Sequence, residues 1–138
     1  MSPRGFTLFE LLVVLVIVGV LAALAMPSYR RHVVRVSRSE AMTLLLHLQS
    51  AEESHYLRYD AYTSAIEVPP PAGLGIAASS ATNKYTAAIA LAADGQSYIA
   101  TASPVGTQAE DLECLAFSID ARGRRAVTGS ADVQRCWR

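Results

Sequence analysis

The stretch "RGFTLFELLVVLVIVGVLAALA", residues 4–25, decides how this chain is read. From Phe6 to Met26 there are 21 residues with a single charge, Glu10. As a helix this run is about 31 Å long, one hydrocarbon thickness. A secretory signal peptide has a basic start, a short apolar stretch and small residues at the cut. Arg4 and Ala23-Leu24-Ala25 fit that outline. A plain membrane anchor fits the length equally well. Neither has a use for Glu10. An acidic group in hydrocarbon costs up to about 3 kcal/mol, less near the helix end, and such a group usually has a partner.

A third reading uses it. Over residues 4–28 the chain resembles the N-terminus of type IV pilins and the related pseudopilins, on the Gly-Phe-Thr-Leu-x-Glu entry into the apolar run and on Pro27. The resemblance implies that residues 1–5, "MSPRG", are a leader. A prepilin peptidase would cut between Gly5 and Phe6 on the cytoplasmic side and methylate the new amine of Phe6. Glu10 would be the family's docking glutamate, the fifth residue after the cut. The physical logic is that a buried carboxylate needs a compensating positive charge. The Phe6 amine of an incoming subunit offers one to Glu10 of a subunit already in the filament. Arg4 keeps the N-terminus cytoplasmic by the positive-inside tendency, while Arg30 and Arg31 on the far side run against it.

Pro27 has no N–H, so the carbonyl of Ala23 loses its helical partner. Gly19 weakens the same half, and the two are the expected places for a helix break or bend. Equally, Pro27 can open a new helix at its first turn. Beyond it, Ala41, Leu44, Leu45, Leu48, Ala51 and His55 recur at helical spacing. Arg38, Glu40, Gln49, Glu52, Glu53 and Arg58 are assigned to the other, polar face. The helix is expected to run to about Tyr59, where "YDAYTS" begins a turn. His32, His47 and His55 match no compact zinc spacing, so no metal is expected; His47 and His55 read as part-buried helix residues. Tyr56, Tyr59 and Tyr62 read as packing between helix and loop.

"IEVPPPAGLGIAASSATN", residues 66–83, is an irregular connection, since three consecutive prolines exclude helix and sheet interior. "KYTAAIALAADGQSYIATAS" reads as two strands around Asp94-Gly95. Tyr85, Ala87, Ile89 and Leu91 alternate on one, and Tyr98, Ala100 and Ala102 on the other. "LECLAFSIDARGRRAVTG" reads as a second pair, turning at Asp120 to Gly123. The expected architecture is therefore α+β: one long N-terminal helix on a roughly four-stranded antiparallel sheet, whose apolar face covers Leu44, Leu45 and Leu48. That is also the pilin fold. The expected boundaries are 1–5 leader, 6–26 membrane and filament-core helix, 27–60 its amphipathic continuation, 61–83 irregular loop and 84–138 sheet with the C-terminal region.

The counted charges balance, 12 against 12, but unevenly along the chain. Residues 61–113 carry Lys84 against Glu67, Asp94, Glu110, Asp111 and Glu113, whereas residues 114–138 carry Arg122, Arg124, Arg125, Arg135 and Arg138 against Asp120 and Asp132. The basic end is a candidate DNA or anion face, or a solvated one complementary to a neighbouring subunit. Cys114 and Cys136, behind an exporting segment, read as one disulfide in an oxidising compartment; two buried thiols are the alternative. The tail also resembles minor pilins of the PilE type, through Pro104, Gly106, Gln108, Asp111, Cys114, Asp120, Gly123, Cys136 and Trp137. In that resemblance the disulfide ties the chain's end to a central strand, and Trp137 packs beside it.

No G-x-S-x-G, paired-carboxylate or H-E-x-x-H pattern is present, so no enzyme and no cofactor are expected. What the resemblance implies is a minor pilin subunit supporting pilus biogenesis, twitching motility and adhesion. Its partners would be other pilin subunits, the inner membrane, the prepilin peptidase and the assembly platform. The precursor would sit once through the bacterial inner membrane with its head periplasmic, and the mature subunit in the extracellular fibre. A type II secretion pseudopilin and a pilus-associated DNA-uptake pilin are the alternatives; an anchored protein with an uncut leader is a weaker one.

Overall fold

The computed structural model describes residues 7–138. The element α1 spans Leu8–Tyr59 as one helix. The described residues fall into two compact units, divided between Val33 and Val34. In the first, the large apolar side chains from Leu8 to Met26 all face outward. A helix apolar on every side needs an apolar solvent or other helices around it. In this single chain the backbone is helical through both Gly19 and Pro27, whereas the expected bend or local melting there belongs to the packed filament.

The second unit is the head. Strands β1 (Tyr85–Leu91), β2 (Tyr98–Pro104), β3 (Phe117–Asp120) and β4 (Arg125–Val127) form one antiparallel sheet in the order β1-β2-β3-β4. The register pairs Ile89 with Ala100, Ala100 with Ile119 and Ile119 with Arg125. Period-two alternation sends Tyr85, Ala87, Ile89, Tyr98, Ala100, Ala102, Phe117 and Ile119 to one buried face. Leu91 was expected on that face and is 39% exposed, at the end of the edge strand β1, although its cross-strand partner Tyr98 is buried. Both expected turns form, with Gly95 and Gly123 at φ of 68° and 76°. The buried face meets Ala41, Leu44, Leu45 and Leu48 of α1. Burying each such leucine contributes about 1.5–3 kcal/mol.

Two polar-face assignments on α1 fail. Arg38 is 9% exposed and Glu52 is fully buried. The head wraps further round the helix than a single sheet would, because the segments before β1 and after β2 cover its flanks. Both histidines were expected part-buried; His47 is exposed, whereas His55 is buried. The His55 ring nitrogens lie 2.8 Å from the Ala61 carbonyl and 2.9 Å from that of Pro71, which pins the irregular loop to the helix. The tyrosines pack as expected: Tyr56 stacks on Tyr62 at 4.6 Å, and Tyr62 meets Tyr98 edge-on at 4.8 Å.

Candidate functional site

Two places carry chemistry, one in each unit. At the start of α1 the Thr7 Oγ1 accepts the backbone N–H of Glu10 at 3.2 Å. Thr-Leu-Phe-Glu is thus half of a capping box, with Thr7 holding one of the unpaired first-turn amides. The sequence carries this signal as T-x-x-E, from Thr7 to Glu10. It fixes the first turn at the one residue whose carboxylate must find a partner. The helix dipole, positive at this end, favours a negative charge there. Glu10 is exposed, as are the apolar residues around it. The expected cleavage pair, Gly5 and Phe6, lies outside the described residues.

In the head, Cys114 and Cys136 are bonded, with Cα atoms 5.8 Å apart. This closes a loop of sequence separation 22 and ties the short helix α2 (Val133–Cys136) to the segment before β3. Backbone bonds reinforce the tie, from Gly129 N–H to Cys114 O at 3.1 Å and from Ala131 N–H to Glu113 O at 2.8 Å. Gly129 is a close approach, since an added Cβ would run into the Glu113 carbonyl.

Beside the disulfide lies a network absent from the sequence reading. The Arg38 guanidinium donates to both carboxylate oxygens of Asp111, at 2.7 and 2.6 Å, and to Glu113 at 3.0 Å. The Asp111 hydrogen bond holds the guanidinium still more firmly protonated than usual, against the opposing effect of burial. Glu113 also accepts from Arg135 at 3.1 Å. Gln108, buried in the 3-10 helix Gly106–Glu110, donates to Tyr85 Oη at 3.1 Å.

The five arginines of the basic end are not equivalent. Arg135 belongs to the network just described. Arg124 pairs with Asp120 at 2.6 Å. Asp120 is held below the ordinary carboxylate range: burial opposes its charge, but the N–H groups of Arg124 and Arg122 and the Arg124 side chain outweigh that. Arg125 lies over the Trp137 ring at 4.9 Å. Trp137 in turn meets Phe117 edge-on at 5.8 Å and donates its indole N–H to Ala126 O at 3.3 Å. These contacts lay the chain's end on β4. Arg122 and Arg138 are exposed with no ion pair among the described residues. Residues 114–138 thus keep a net charge of five arginines less two aspartates, or +3. Among the described residues no cluster of His, Cys, Asp or Glu is arranged to hold a metal ion.

A capped apolar helix, its continuation under an antiparallel meander and a disulfide-closed C-terminus define the type IV pilin class. A family profile described as "Type IV minor pilin ComP, DNA uptake sequence receptor" matches residues 27–118, and one described as "Prokaryotic N-terminal methylation motif" matches residues 1–26. The chain belongs to the first of these, the ComP-type minor pilin family. It is 37% identical over 89 residues to the type IV major pilin PilE1 of Neisseria gonorrhoeae, covering 64% of this chain and 40% of that protein. It is 32% identical over 115 residues to the major pilin PilA of Myxococcus xanthus, covering 81% and 48%. The fimbrial protein EcpC of Eikenella corrodens is 34% identical over 104 residues, 75% of this chain and 64% of that one. The chain therefore spans about half the length of the curated relatives it matches. A type IV pilin from Shewanella oneidensis shares the fold, with a TM-score of 0.50 at 22% identity over 67% of this chain and 90% of that one.

Proposed function

We propose that the chain is a minor subunit of a type IV pilus, structural rather than enzymatic. It is made as a precursor held in the inner membrane by the first half of α1, with the N-terminus cytoplasmic and the head periplasmic. The prepilin peptidase cuts between Gly5 and Phe6 and methylates Phe6. The mature subunit is then drawn by the assembly platform into a filament of pilins, where it supports pilus biogenesis, twitching and adhesion. Residues 6–26 form the core-forming part and 27–60 its continuation; the loop 61–83 and the sheet region 84–138 face the neighbours.

The observation that carries this reading is the capped, exposed Glu10 at the head of an apolar helix, four residues after Phe6. In apolar surroundings its charge needs the positive amine that cleavage creates. Mass spectrometry of the protein from its native cells tests this. A mature chain beginning at methylated Phe6 is expected, and one that still begins at Met1 overturns the reading. Glu10→Ala should leave membrane insertion intact and impair incorporation into pili.

A second reading adds DNA binding. The matching family is described as a DNA uptake sequence receptor. Arg122, Arg125 and Arg138, which form no ion pair among the described residues, supply phosphate contacts, Arg125 from over the Trp137 ring. Salt-sensitive retention of duplex DNA by the full-length protein supports it, and no retention at low salt removes it.

A further inference from the structure

Between Glu10 and Glu40 there is no acidic residue, but there are four arginines, Arg30, Arg31, Arg35 and Arg38. Arg38 is neutralised inside the head by Asp111 and Glu113. Arg30 and Arg31 are exposed and directly follow the apolar run on the side where positive charge is disfavoured for export. The pilin reading gives them no task, and a topological cost retained there asks for one.

We propose that Arg30 and Arg31, with Tyr29 beside them, seat the phosphate of an anionic phospholipid headgroup on the far face of the membrane and so set the depth of α1. Arg30 lies four residues past Met26, about 6 Å beyond the apolar run, which is where the headgroup layer begins outside a hydrocarbon core about 30 Å thick. Guanidinium groups match phosphate oxygens in a two-point geometry that an ammonium lacks. Tyr29 is 68% exposed, and an aromatic ring with a polar tip is suited to the membrane boundary. Basic residues at a membrane surface are drawn to anionic lipid. The seat also explains how Glu10 is tolerated. Twenty residues separate it from Arg30, about 30 Å of helix. With Arg30 in the far headgroup layer, an upright α1 leaves Glu10 about 6 Å inside the opposite edge of the hydrocarbon, where a carboxylate reaches water at reduced cost.

The inference rests on the membrane-spanning reading above, and carbonate extraction of native membranes tests that reading separately. For the seat itself, full-length protein is placed in nanodiscs of phosphatidylcholine mixed with phosphatidylglycerol, and the lipids it retains are counted by native mass spectrometry. The wild type should prefer phosphatidylglycerol by about tenfold. Arg30→Gln/Arg31→Gln should lose most of that preference while staying carbonate-resistant, and Arg30→Lys/Arg31→Lys should keep part of it. A carbonate-resistant wild type with no preference, or a glutamine variant with the preference undiminished, overturns the seat.

Discussion

The Arg38 guanidinium grips both oxygens of the Asp111 carboxylate across 73 residues of chain. This pair joins α1 to the segment that carries the disulfide. Asp111 is 7% exposed, so each member depends on the other for its charge to be tolerated.

Removing one member should therefore be costly. Arg38→Met alone leaves a buried carboxylate unpaired and should lower stability by about 3–5 kcal/mol. For a head of this size, 1 kcal/mol moves Tm by about 4–8 °C. Arg38→Met/Asp111→Leu removes both charges and should recover much of the loss. Thermal melting of the full-length protein in detergent checks both, and a single variant melting as the wild type would refute the pairing.

The disulfide should stabilise the head by about 3 kcal/mol in the chain-entropy account, given its sequence separation of 22. Cys114→Ser/Cys136→Ser should melt earlier by a corresponding margin. Trp137 packs on Phe117 and β4, so its fluorescence reports release of the C-terminus. Reduction without any change in Trp137 emission would show that packing alone holds the end in place.

Glu52 should make stability depend on pH in an unusual direction. Burial pushes its carboxyl above the ordinary range, opposed by the Thr63 N–H and by His55, with Glu53 adding to the rise. A carboxyl raised in the folded state favours folding below its unfolded value. That contribution is lost as pH rises through the folded value. At neutral pH Glu52 is thus a burden, and its Oε1 has no hydrogen-bond partner. Glu52→Gln should raise Tm at pH 7, and the gain should shrink as pH falls through the carboxylate range. Glu40 and Asp120 are held low despite burial, by Thr82 and Arg124 respectively, and lose their contribution as pH falls. Both proteins share those two groups, so their effect cancels in the difference. A gain that grows toward acid would contradict the assignment.

The arginines of the basic end should separate in a DNA-binding assay. Each phosphate contact removed lowers the slope of log K against log salt by about 0.9. Arg122→Ala and Arg138→Ala should each do so with Tm unchanged. Arg135→Ala should lower the slope less, because its charge is shared with Glu113, and with the pair this exposed Tm should move little. Equal slopes for all three variants would mean that the ion pairs do not decide which arginines reach DNA.

Much of the fold was legible in the sequence because its signals are periodic and local. The apolar run, the helical spacing from Ala41 to His55, the strand alternation and the turns at Asp94-Gly95 and Asp120 to Gly123 each depend on neighbours a few residues away. The even cysteine count pointed to one bridge for the same reason that a small head gains from a staple. Arg38 and Glu52 were misread because helix periodicity tells which face is apolar, not how far another segment wraps over the rest. Nothing near Arg38 in sequence announces Asp111. The roles of the five arginines were equally hidden, since each is set by a through-space partner: Asp120, Glu113 or Trp137.

By itself, then, the sequence determined a capped apolar helix with one acidic residue, an amphipathic continuation and an antiparallel meander closed by two cysteines. Short-range sterics, capping and hydrophobic period fix those features wherever the chain folds. Tertiary structure alone decided which charges are buried in pairs and which stay open to a partner. Ion pairing acts over a few ångströms of space, and only the completed fold brings residues 73 apart in sequence within that reach.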